Sequence, residues 1–311
     1  MSVGLRSPDR VLLLGANGQL GTELHAMLEG QCELHAFTRA EADLSRPEDL
    51  RRIVADLRPA IILNAAAYTA VDKAESEPEL AALINARSPA VLAEEAAKCN
   101  ALLVHYSTDY VFDGSNPEPW VEDDPTAPLN VYGATKLAGE KAIASIGGSY
   151  LIFRTSWVFA PHGKNFLLTI LRLARERDGL TIVADQHGAP TSAAEIARGT
   201  INVLEKMREG RDDPPSWAGV YHMSCAGETT WYGFAQAIID EAIPLDLLEG
   251  KRAAAVPIPS AQYPTPARRP ANSVLSNSKL LRRFGIALPH WRDALHRAIS
   301  ELSSSERVAT P

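Results

Sequence analysis

The sequence has little cysteine, and nothing in it requires a covalent or metal staple. Its 311 residues include three cysteines, Cys32, Cys99 and Cys225, which are scattered and odd in number. No two of them have Cys-x-x-Cys spacing, so we expect buried, reduced thiols instead of a disulfide framework or a zinc site. A chain of this length buries a core large enough to fold without either.

Long hydrophobic runs and an excess of positive charge are also missing. The first apolar run, Val11–Leu14, is too short for a signal peptide, and no later segment approaches the about 20 residues of a membrane span. We therefore expect a cytoplasmic protein without a membrane partner. The net charge of -7 argues against nucleic acid, which needs a basic surface. An anionic ligand would have to be held by local arginines and helix N-termini.

Short apolar runs alternate with helical patterns in the first half, which is typical of parallel βαβ units. Strands are predicted at Val11–Leu14, Glu33–Phe37, Ala60–Leu63, Leu102–Tyr106 and Leu151–Phe153, and helices at Glu79–Lys98, Asn165–Arg177 and Glu195–Met207. The expected fold is α/β, with a doubly wound parallel sheet (Rossmann domain) over residues 1–156. A smaller C-terminal substrate-binding lobe follows over 157–301, with some segments returning to the first domain. Residues 302–311 are polar and Ser-rich, and we expect a disordered tail.

A glycine-rich turn joins the first strand to an amphipathic helix. It reads Gly15-Ala-Asn-Gly18-Gln-Leu-Gly21. Glycines let such a turn tighten and let the backbone approach a pyrophosphate, which then sits on the helix N-terminus. An ordinary βα turn is the alternative, but the strand before it and the helix after it favour a dinucleotide site.

The residues after the second strand bear on the choice of dinucleotide. An acid at this position binds the ribose 2′-hydroxyl of NADH, whereas an arginine accommodates the 2′-phosphate of NADPH. Here the next residues are Thr38 and Arg39, while Glu41 and Asp43 come later, where the adenine is expected. We predict that Thr38 and Arg39 bind the phosphate, so that NADPH is preferred and NADH remains usable. The alternative is that Arg39 points into solvent.

Tyr132 and Lys136 form a Tyr-x-x-x-Lys pair in a helix-compatible run. Residues four apart share a helix face, so we expect the Lys136 ammonium to lower the pKa of the Tyr132 phenol from about 10. Such a phenol protonates a carbonyl oxygen as hydride arrives. The spacing alone also fits an exposed helical pair. The Thr108 hydroxyl, just beyond a strand, could bind the same carbonyl, and this order of turn, hydroxyl and pair is that of short-chain dehydrogenase/reductases.

Several longer blocks resemble the dTDP-4-dehydrorhamnose reductase family. In chain order, these blocks are Asn64-Ala-Ala-Ala-Tyr-Thr-Ala-Val-Asp, His105-Tyr-Ser-Thr-Asp-Tyr-Val-Phe, Pro128-Leu-Asn-Val-Tyr-Gly-Ala-Thr-Lys, Phe153-Arg-Thr-Ser-Trp-Val, Asp185-Gln-His-Gly-Ala-Pro-Thr and Tyr263-Pro-Thr-Pro-Ala-Arg-Arg. The resemblance covers about residues 10 to 295. It implies reduction of dTDP-4-dehydro-L-rhamnose with NAD(P)H, the last step of dTDP-L-rhamnose synthesis.

The resemblance also implies roles for individual residues. Tyr132 is implied as the proton donor, and Lys136 as its partner and a contact of the cofactor ribose. Further cofactor contacts are implied at Gly18, Gln19, Leu20, Ala67, Tyr68, Thr69 and Tyr106, with Asp43 and Leu44 flanking the adenine. Substrate contacts are implied at Thr108, Asp109 and Trp157, with Gln186 and Thr191 near the thymidine and Arg268 and Arg269 as candidates for the pyrophosphate. Trp157 could instead be a core aromatic, Gln186 and Thr191 could merely shape a loop, and one of the two arginines could be an exposed residue without a ligand.

Some relatives of this kind hold Mg²⁺ at a dimer interface through three glutamates. Glu23 matches the first, but the second acid comes one residue late, at Glu195, and Arg292 replaces the third. Because a hard cation needs clustered oxygens, we predict no tight magnesium site. A homodimer is compatible with the resemblance.

Two other classes stay open at this point. One is the non-catalytic regulatory subunit of a methionine adenosyltransferase, which has the same fold but no need of Tyr132, Lys136 and Thr108. The other is a nucleotide-sugar epimerase or dehydratase, in which the cofactor takes its hydride back.

Overall fold

The computed structural model describes residues 9–209 and 217–309, and the side chains of the last helix to Ser305. The strands are β1 (Arg10–Leu14), β2 (Glu33–Phe37), β3 (Ile61–Asn64), β4 (Leu102–Thr108), β5 (Tyr150–Thr155), β6 (Val158–Phe159), β7 (Gly179–Val183), β8 (His187–Gly188), β9 (Thr191–Ser192), β10 (Gly219–His222), β11 (Thr229–Thr230) and β12 (Ala254–Ile258). The helices are α1 (Gln19–Leu28), α2 (Pro47–Leu57), α3 (Val71–Ala74), α4 (Pro78–Ala82), α5 (Ser88–Cys99), α6 (Val131–Ile146), α7 (Phe166–Glu176), α8 (Ala193–Glu209), α9 (Trp231–Ala242), α10 (Ser278–Phe284) and α11 (Trp291–Ala309). The predicted strands are confirmed, although the predicted helix over 79–98 is interrupted by a π-helical turn at Leu83–Arg87.

The main sheet has six strands in the order β10-β5-β4-β3-β1-β2. All its neighbouring pairs are parallel, which confirms the doubly wound α/β fold. The chain moves outward from β1 to β2 and then crosses to β3 on the other side. Ligands of such sheets bind beyond the carboxyl ends of the strands at this reversal.

Both faces of the sheet are covered, which explains why its strands read as continuous apolar runs. In β1, Val11 and Leu13 belong to the core on one face, and Leu12 and Leu14 to the core on the other. Helix α1 packs into the first core, and helices α2 and α5 into the second. The sheet is thereby held in a three-layer sandwich that exposes its strand ends to ligands.

The second half of the chain forms smaller pairings at one side of this sandwich. Strands β7 and β12 pair in parallel, β6 pairs with β9 in parallel, and β8 with β11 antiparallel. Strand β10 returns to the edge of the main sheet beside β5, and α8 packs on α1. The division at residue 156 into a dinucleotide domain and a substrate lobe stays a prediction.

The predicted disordered tail is wrong as far as Ala309, because α11 continues through it. The helix packs against the rest of the protein in this region, since Ser303 is buried and Leu302 contacts the core. Residues 310–311 lie outside the described part of the chain. In the described ranges, no helix has both the length and the apolar character needed to cross a bilayer.

Of the three cysteines, only Cys225 is buried, while Cys32 and Cys99 are half-buried, and all three are free thiols. The expectation of buried thiols therefore holds for one of them.

Candidate active site

The glycine turn between β1 and α1 is shaped by close backbone contacts. Gly15 has φ of +78°, and a Cβ there would lie 2.9 Å from the backbone nitrogen of Ala66. A Cβ on Gly21 would lie 1.9 Å from the carbonyl oxygen of Gly15. Gly18 donates its N–H to that same oxygen at 2.9 Å. The turn is thus tight enough to open the N-terminus of α1 towards the strand ends, which suits a pyrophosphate.

A cleft of about 350 Å³ lies over the carboxyl ends of the central strands. The predicted cofactor residues that line it are Gly15, Gly18, Gln19, Leu20, Arg39, Asp43, Leu44, Ala67, Thr69, Tyr106, Tyr132 and Lys136. Its walls also include residues that sequence reasoning missed, among them Asn17, Asn64, Ile84, Ser107 and Thr155. The cleft therefore joins the phosphate-binding turn to the Tyr132–Lys136 pair, as a dinucleotide site requires.

Three predicted cofactor residues, Gly21, Thr38 and Tyr68, do not line this cleft. Gly21 acts through its close packing on the turn. Tyr68 donates its hydroxyl to Glu77 at 2.8 Å and its backbone N–H to Asn85 at 2.9 Å. Its side chain is therefore turned to a carboxylate, and its backbone is fixed by a buried amide.

The end of β2 carries carboxylates that the sequence reasoning did not place there. Glu41 folds back so that its Oε2 accepts the backbone N–H of Thr38 at 2.9 Å and the Thr38 hydroxyl at 3.0 Å. These hydrogen bonds lower the pKa of Glu41. Arg39 is 73% exposed, and its Nε lies 3.4 Å from Oδ2 of Asp43. The donors expected to bind a 2′-phosphate thus already have acidic partners.

Helix α6, which carries Tyr132 and Lys136, is positioned by its first turn. Asn130 caps the helix, since its Oδ1 accepts the N–H of Gly133 at 2.8 Å. A Cβ on Gly133 would lie 2.2 Å from the carbonyl oxygen of Tyr110. Only glycine permits this approach, which brings Tyr132 next to the chain that follows β4.

Tyr132 and Thr108 meet where β4 ends. The Thr108 hydroxyl is near enough to the phenol to favour its ionised form, and this hydroxyl donates to Oδ1 of Asp109 at 2.9 Å. The Thr108 oxygen also accepts the backbone N–H of Tyr110 at 3.2 Å. The Thr108 hydroxyl is thereby held in place beside the phenol. Asp109 is buried, and burial raises the pKa of its carboxyl to about 7, so the group keeps a proton far more readily than an exposed acid.

The expectation that the pKa of Tyr132 is lowered from about 10 is wrong, since its net shift is upward. Burial raises the pKa of Tyr132 to about 12, although the hydrogen bond with Thr108 opposes the rise. The Lys136 Nζ turns to the carbonyl oxygen of Tyr106, at 2.6 Å, and to Nε2 of His105, at 3.1 Å. Burial also lowers the pKa of Lys136, to about 8.

Sequence reasoning missed the polar residues behind this pair. His105 is buried in β4, and its Nδ1 lies 3.0 Å from Nδ2 of Asn64, its register partner in β3. Asn85, in the π-helical turn, binds the Tyr68 backbone and donates to Thr135 Oγ1 at 3.2 Å. The sequence did contain a signal for Asn64 and His105, because they are polar residues inside strands that are otherwise apolar and covered on both faces.

The residues implied for the sugar nucleotide lie in varied surroundings. Trp157 has φ of +46° and stacks on Trp231 with ring centroids 3.6 Å apart. Gln186 donates to Ser260 Oγ at 2.9 Å. Thr191 is fully buried, and its hydroxyl donates to Ala189 and accepts from Cys225. The structure therefore does not bring the Thr191 side chain to a ligand-accessible surface.

The two candidate arginines differ. Arg269 makes a paired contact with Asp72, at 3.0 and 2.7 Å from its two carboxylate oxygens. Arg268 is exposed, and its carbonyl oxygen accepts from Asn130 at the start of α6. Arg268 is thus the better placed of the two to meet an anionic ligand near the catalytic helix.

The glutamates considered for magnesium have side-chain partners of their own. Glu23 lies 2.8 Å from Nε2 of His162, and Glu195 lies 2.7 Å from Arg198 and 2.9 Å from Arg297. The guanidinium of Arg292 lies 4.6 Å above the Trp291 ring. These contacts occupy oxygens that a metal would need.

The fold and the cleft define a class. A glycine turn at the reversal of a parallel sheet, joined by one cleft to a Tyr–Lys pair beside a threonine, is the arrangement of a dinucleotide-dependent oxidoreductase of the short-chain type.

Comparison with known proteins identifies the family. The model of the RmlD substrate binding domain matches residues 9–304, and the chain belongs to this family. It is similar to the dTDP-4-dehydrorhamnose reductases of Burkholderia thailandensis, 51% identical over 95% of this chain and 99% of the relative, and of Escherichia coli K12, 47% identical over 96% and 99%. The crystal structure of dTDP-4-dehydrorhamnose reductase from Bacillus anthracis in complex with NADP has a TM-score of 0.85 at 35% identity, covering 94% of this chain and 99% of that one.

Proposed function

We propose that this chain is a dTDP-4-dehydrorhamnose reductase, which uses NADPH, or less efficiently NADH, to form dTDP-L-rhamnose. The observation that carries the proposal is the Tyr132 phenol, half-buried beside Thr108, in the same cleft as the glycine turn. The names of the relatives supply the substrate. The cradle of Gly15 and Gly18 at the start of α1 fits a dinucleotide pyrophosphate.

The reaction requires one hydride and one proton. The reduced nicotinamide, when bound, supplies the hydride to C4 of the sugar. Tyr132 supplies the proton to the carbonyl oxygen, and its raised pKa means that the phenol is loaded at neutral pH. The Thr108 hydroxyl lies beside the phenol, and Lys136 stands one helical turn behind it. The product alcohol keeps both hydrogens, so the tyrosine must regain a proton before the next cycle.

The contacts with the sugar nucleotide are proposed from the family resemblance together with the positions of the residues in the structure. Thr108 and Asp109 lie near the Tyr132 phenol, and Trp157 and Gln186 lie in the C-terminal half of the chain. Arg268 is proposed for the pyrophosphate, because Arg269 is held by Asp72. The lobe over 157–301 is accordingly proposed as the substrate-binding part. We place the reaction in the cytoplasm, and a homodimer is a prediction that light scattering would test.

The experiment is a turnover assay with matched variants. Purified protein should oxidise NADPH in step with dTDP-4-dehydro-L-rhamnose and accumulate dTDP-L-rhamnose. Tyr132→Phe removes only a hydroxyl and should lower kcat by about 10²–10⁴ while leaving NADPH binding nearly intact. A chain that interconverts sugar nucleotides without net NADPH loss would be an epimerase or dehydratase instead. A chain that binds NADPH without turnover would fit the regulatory class.

A further inference from the structure

Asn64 and His105 form a buried polar pair behind Lys136. Asn64 is the last residue of β3 and faces His105 in β4, and each side chain belongs to a residue that is only 1% exposed. The Asn64 Oδ1 accepts the backbone N–H of Ala66 at 3.3 Å, and its Nδ2 lies 3.0 Å from Nδ1 of His105. A buried amide between two such groups has its orientation set by them.

The orientation of the amide fixes the tautomer of the histidine. A backbone N–H is always a donor, so the Asn64 atom that faces Ala66 is the oxygen. The NH₂ group therefore faces His105 and donates to Nδ1. Because Nδ1 accepts, a neutral His105 carries its proton on Nε2. Burial, followed by the charge of Lys136, lowers the pKa of His105 well below its usual value, which keeps the ring neutral.

This tautomer presents a donor to Lys136. The Lys136 Nζ lies 3.1 Å from Nε2 of His105 and 2.6 Å from the carbonyl oxygen of Tyr106. An ammonium has three donors and no acceptor, so an Nε2–H would meet donor with donor. A neutral amine resolves the conflict, since its lone pair accepts from His105 and one N–H donates to Tyr106.

We propose that Asn64 and His105 are positioning residues that, through the tautomer of His105, disfavour the ammonium form of Lys136 relative to the neutral amine. The two residues act through the lysine and do not touch the reacting atoms. The inference deepens the proposed reductase function, because it states what sets the charge behind Tyr132.

The charged groups around Lys136 agree with this reading. On α6 it has Tyr132 one turn before and Glu140 one turn after, and on β4 it has His105. The Glu140 charge favours the ammonium. That charge is, however, shared with Arg154 of β5, whose Nη2 lies 2.7 Å from the carboxylate in a buried pair. Burial therefore outweighs Glu140, and the pKa of Lys136 falls to about 8.

The consequence for catalysis concerns the release of the Tyr132 proton. While Lys136 is neutral, nothing in the pair stabilises phenolate, and Tyr132 keeps its proton. Once Lys136 is protonated, its charge favours phenolate and promotes transfer to the substrate oxygen. Turnover should therefore fall as pH rises through the pKa of Lys136.

The first test measures the tautomer directly and does not depend on turnover. Long-range ¹H–¹⁵N NMR of the full chain distinguishes the two neutral tautomers of a histidine, and the His105 signal is assigned by its loss in His105→Gln. We expect the Nε2–H form. The Nδ1–H form would overturn the proposal even if the reductase activity were established, and a missing activity would leave this measurement valid.

The second test reverses the tautomer. In Asn64→Asp, a carboxylate faces both Ala66 and His105, so His105 takes its proton on Nδ1 and accepts from the Lys136 ammonium. The Lys136 titration, followed by the ¹³C shift of Cε and by the alkaline limb of kcat/KM, should move up by about 1–2 pH units. His105→Gln should move it in the same direction without added charge, because the amide oxygen can accept from the ammonium.

Two controls separate the tautomer from simple electrostatics. Asn100→Asp adds the same charge at an exposed position before the amino end of β4 and should leave the titration unchanged. In the His105→Gln background, Asn64→Asp should add much less than it does alone. An equal shift in all variants, or no shift in Asn64→Asp, would overturn the proposal.

Discussion

Cofactor choice depends on how strongly Arg39 can bind a 2′-phosphate, and Arg39→Ala tests it. A well-formed charge-assisted hydrogen bond contributes about 1.5–3 kcal/mol, which corresponds to roughly tenfold to a hundredfold in affinity. The structure reduces this expectation. Arg39 is 73% exposed and already lies 3.4 Å from Asp43, so its contact with a phosphate resembles an exposed ion pair.

An exposed pair contributes about 0.2–1 kcal/mol, or roughly 1.4-fold to 5-fold. We therefore expect Arg39→Ala to lower kcat/KM for NADPH by that factor and to leave kcat/KM for NADH almost unchanged. The preference of the unmodified enzyme for NADPH should be correspondingly small, and added salt should weaken it further, because exposed charges are screened.

Glu41 provides the opposing change at the same site. Its carboxylate accepts both donors of Thr38, which would otherwise be available to a phosphate. Glu41→Gln removes the negative charge and should raise the ratio of kcat/KM for NADPH over NADH. Steady-state kinetics with both cofactors at two salt concentrations decide the matter. A tenfold or larger loss of kcat/KM for NADPH in Arg39→Ala would show that the guanidinium binds the phosphate more strongly than an exposed ion pair does. An equal loss of kcat/KM for both cofactors would show that Arg39 does not bind the 2′-phosphate.

Three further outcomes are expected. Thr108→Val should lower kcat by less than Tyr132→Phe does, because it removes a hydroxyl beside the phenol and leaves the proton donor in place; an equal loss in single-turnover kinetics would contradict this. EDTA should leave activity intact, since Glu23 is already bound to His162 and Glu195 to Arg198, and recovery of lost activity by magnesium alone would show otherwise. Glu140→Ala should destabilise the fold by about 3–5 kcal/mol in denaturant unfolding, because it leaves a buried guanidinium without its partner; a loss below about 1 kcal/mol would show that water reaches the site.

The strands of the main sheet could be predicted because each is covered on both faces. Val11–Leu14 and Leu102–Tyr106 are therefore apolar without alternation, and turns bound them. The hydrophobic pattern of a segment does not predict which strands are its neighbours in the sheet. The return of β10 to the sheet edge depends on contacts between residues far apart in the chain, and these leave no periodic signature.

The error at the C-terminus has a similar cause. Residues 302–309 are polar enough to be read as a disordered tail. They are nevertheless helical, because the preceding turns of α11 bury Leu295 and Ile299, and a helix once nucleated is extended at small cost. Composition describes a segment as if it were isolated, whereas the packing of its neighbours decides whether it is ordered.

The active site shows the same limit at the level of single groups. The four-residue spacing of Tyr132 and Lys136 correctly places both on one face of a helix, and it suggests that the lysine is the partner of the phenol. Which atom the Lys136 Nζ actually contacts is decided by β4, whose Tyr106 carbonyl and His105 ring lie within 3.1 Å of it. The sign of the Tyr132 pKa shift is then set by burial, which depends on how closely Gly133 lets α6 approach Tyr110. Spacing can therefore place Tyr132 and Lys136 together, but their protonation depends on neighbouring residues that the spacing does not reveal.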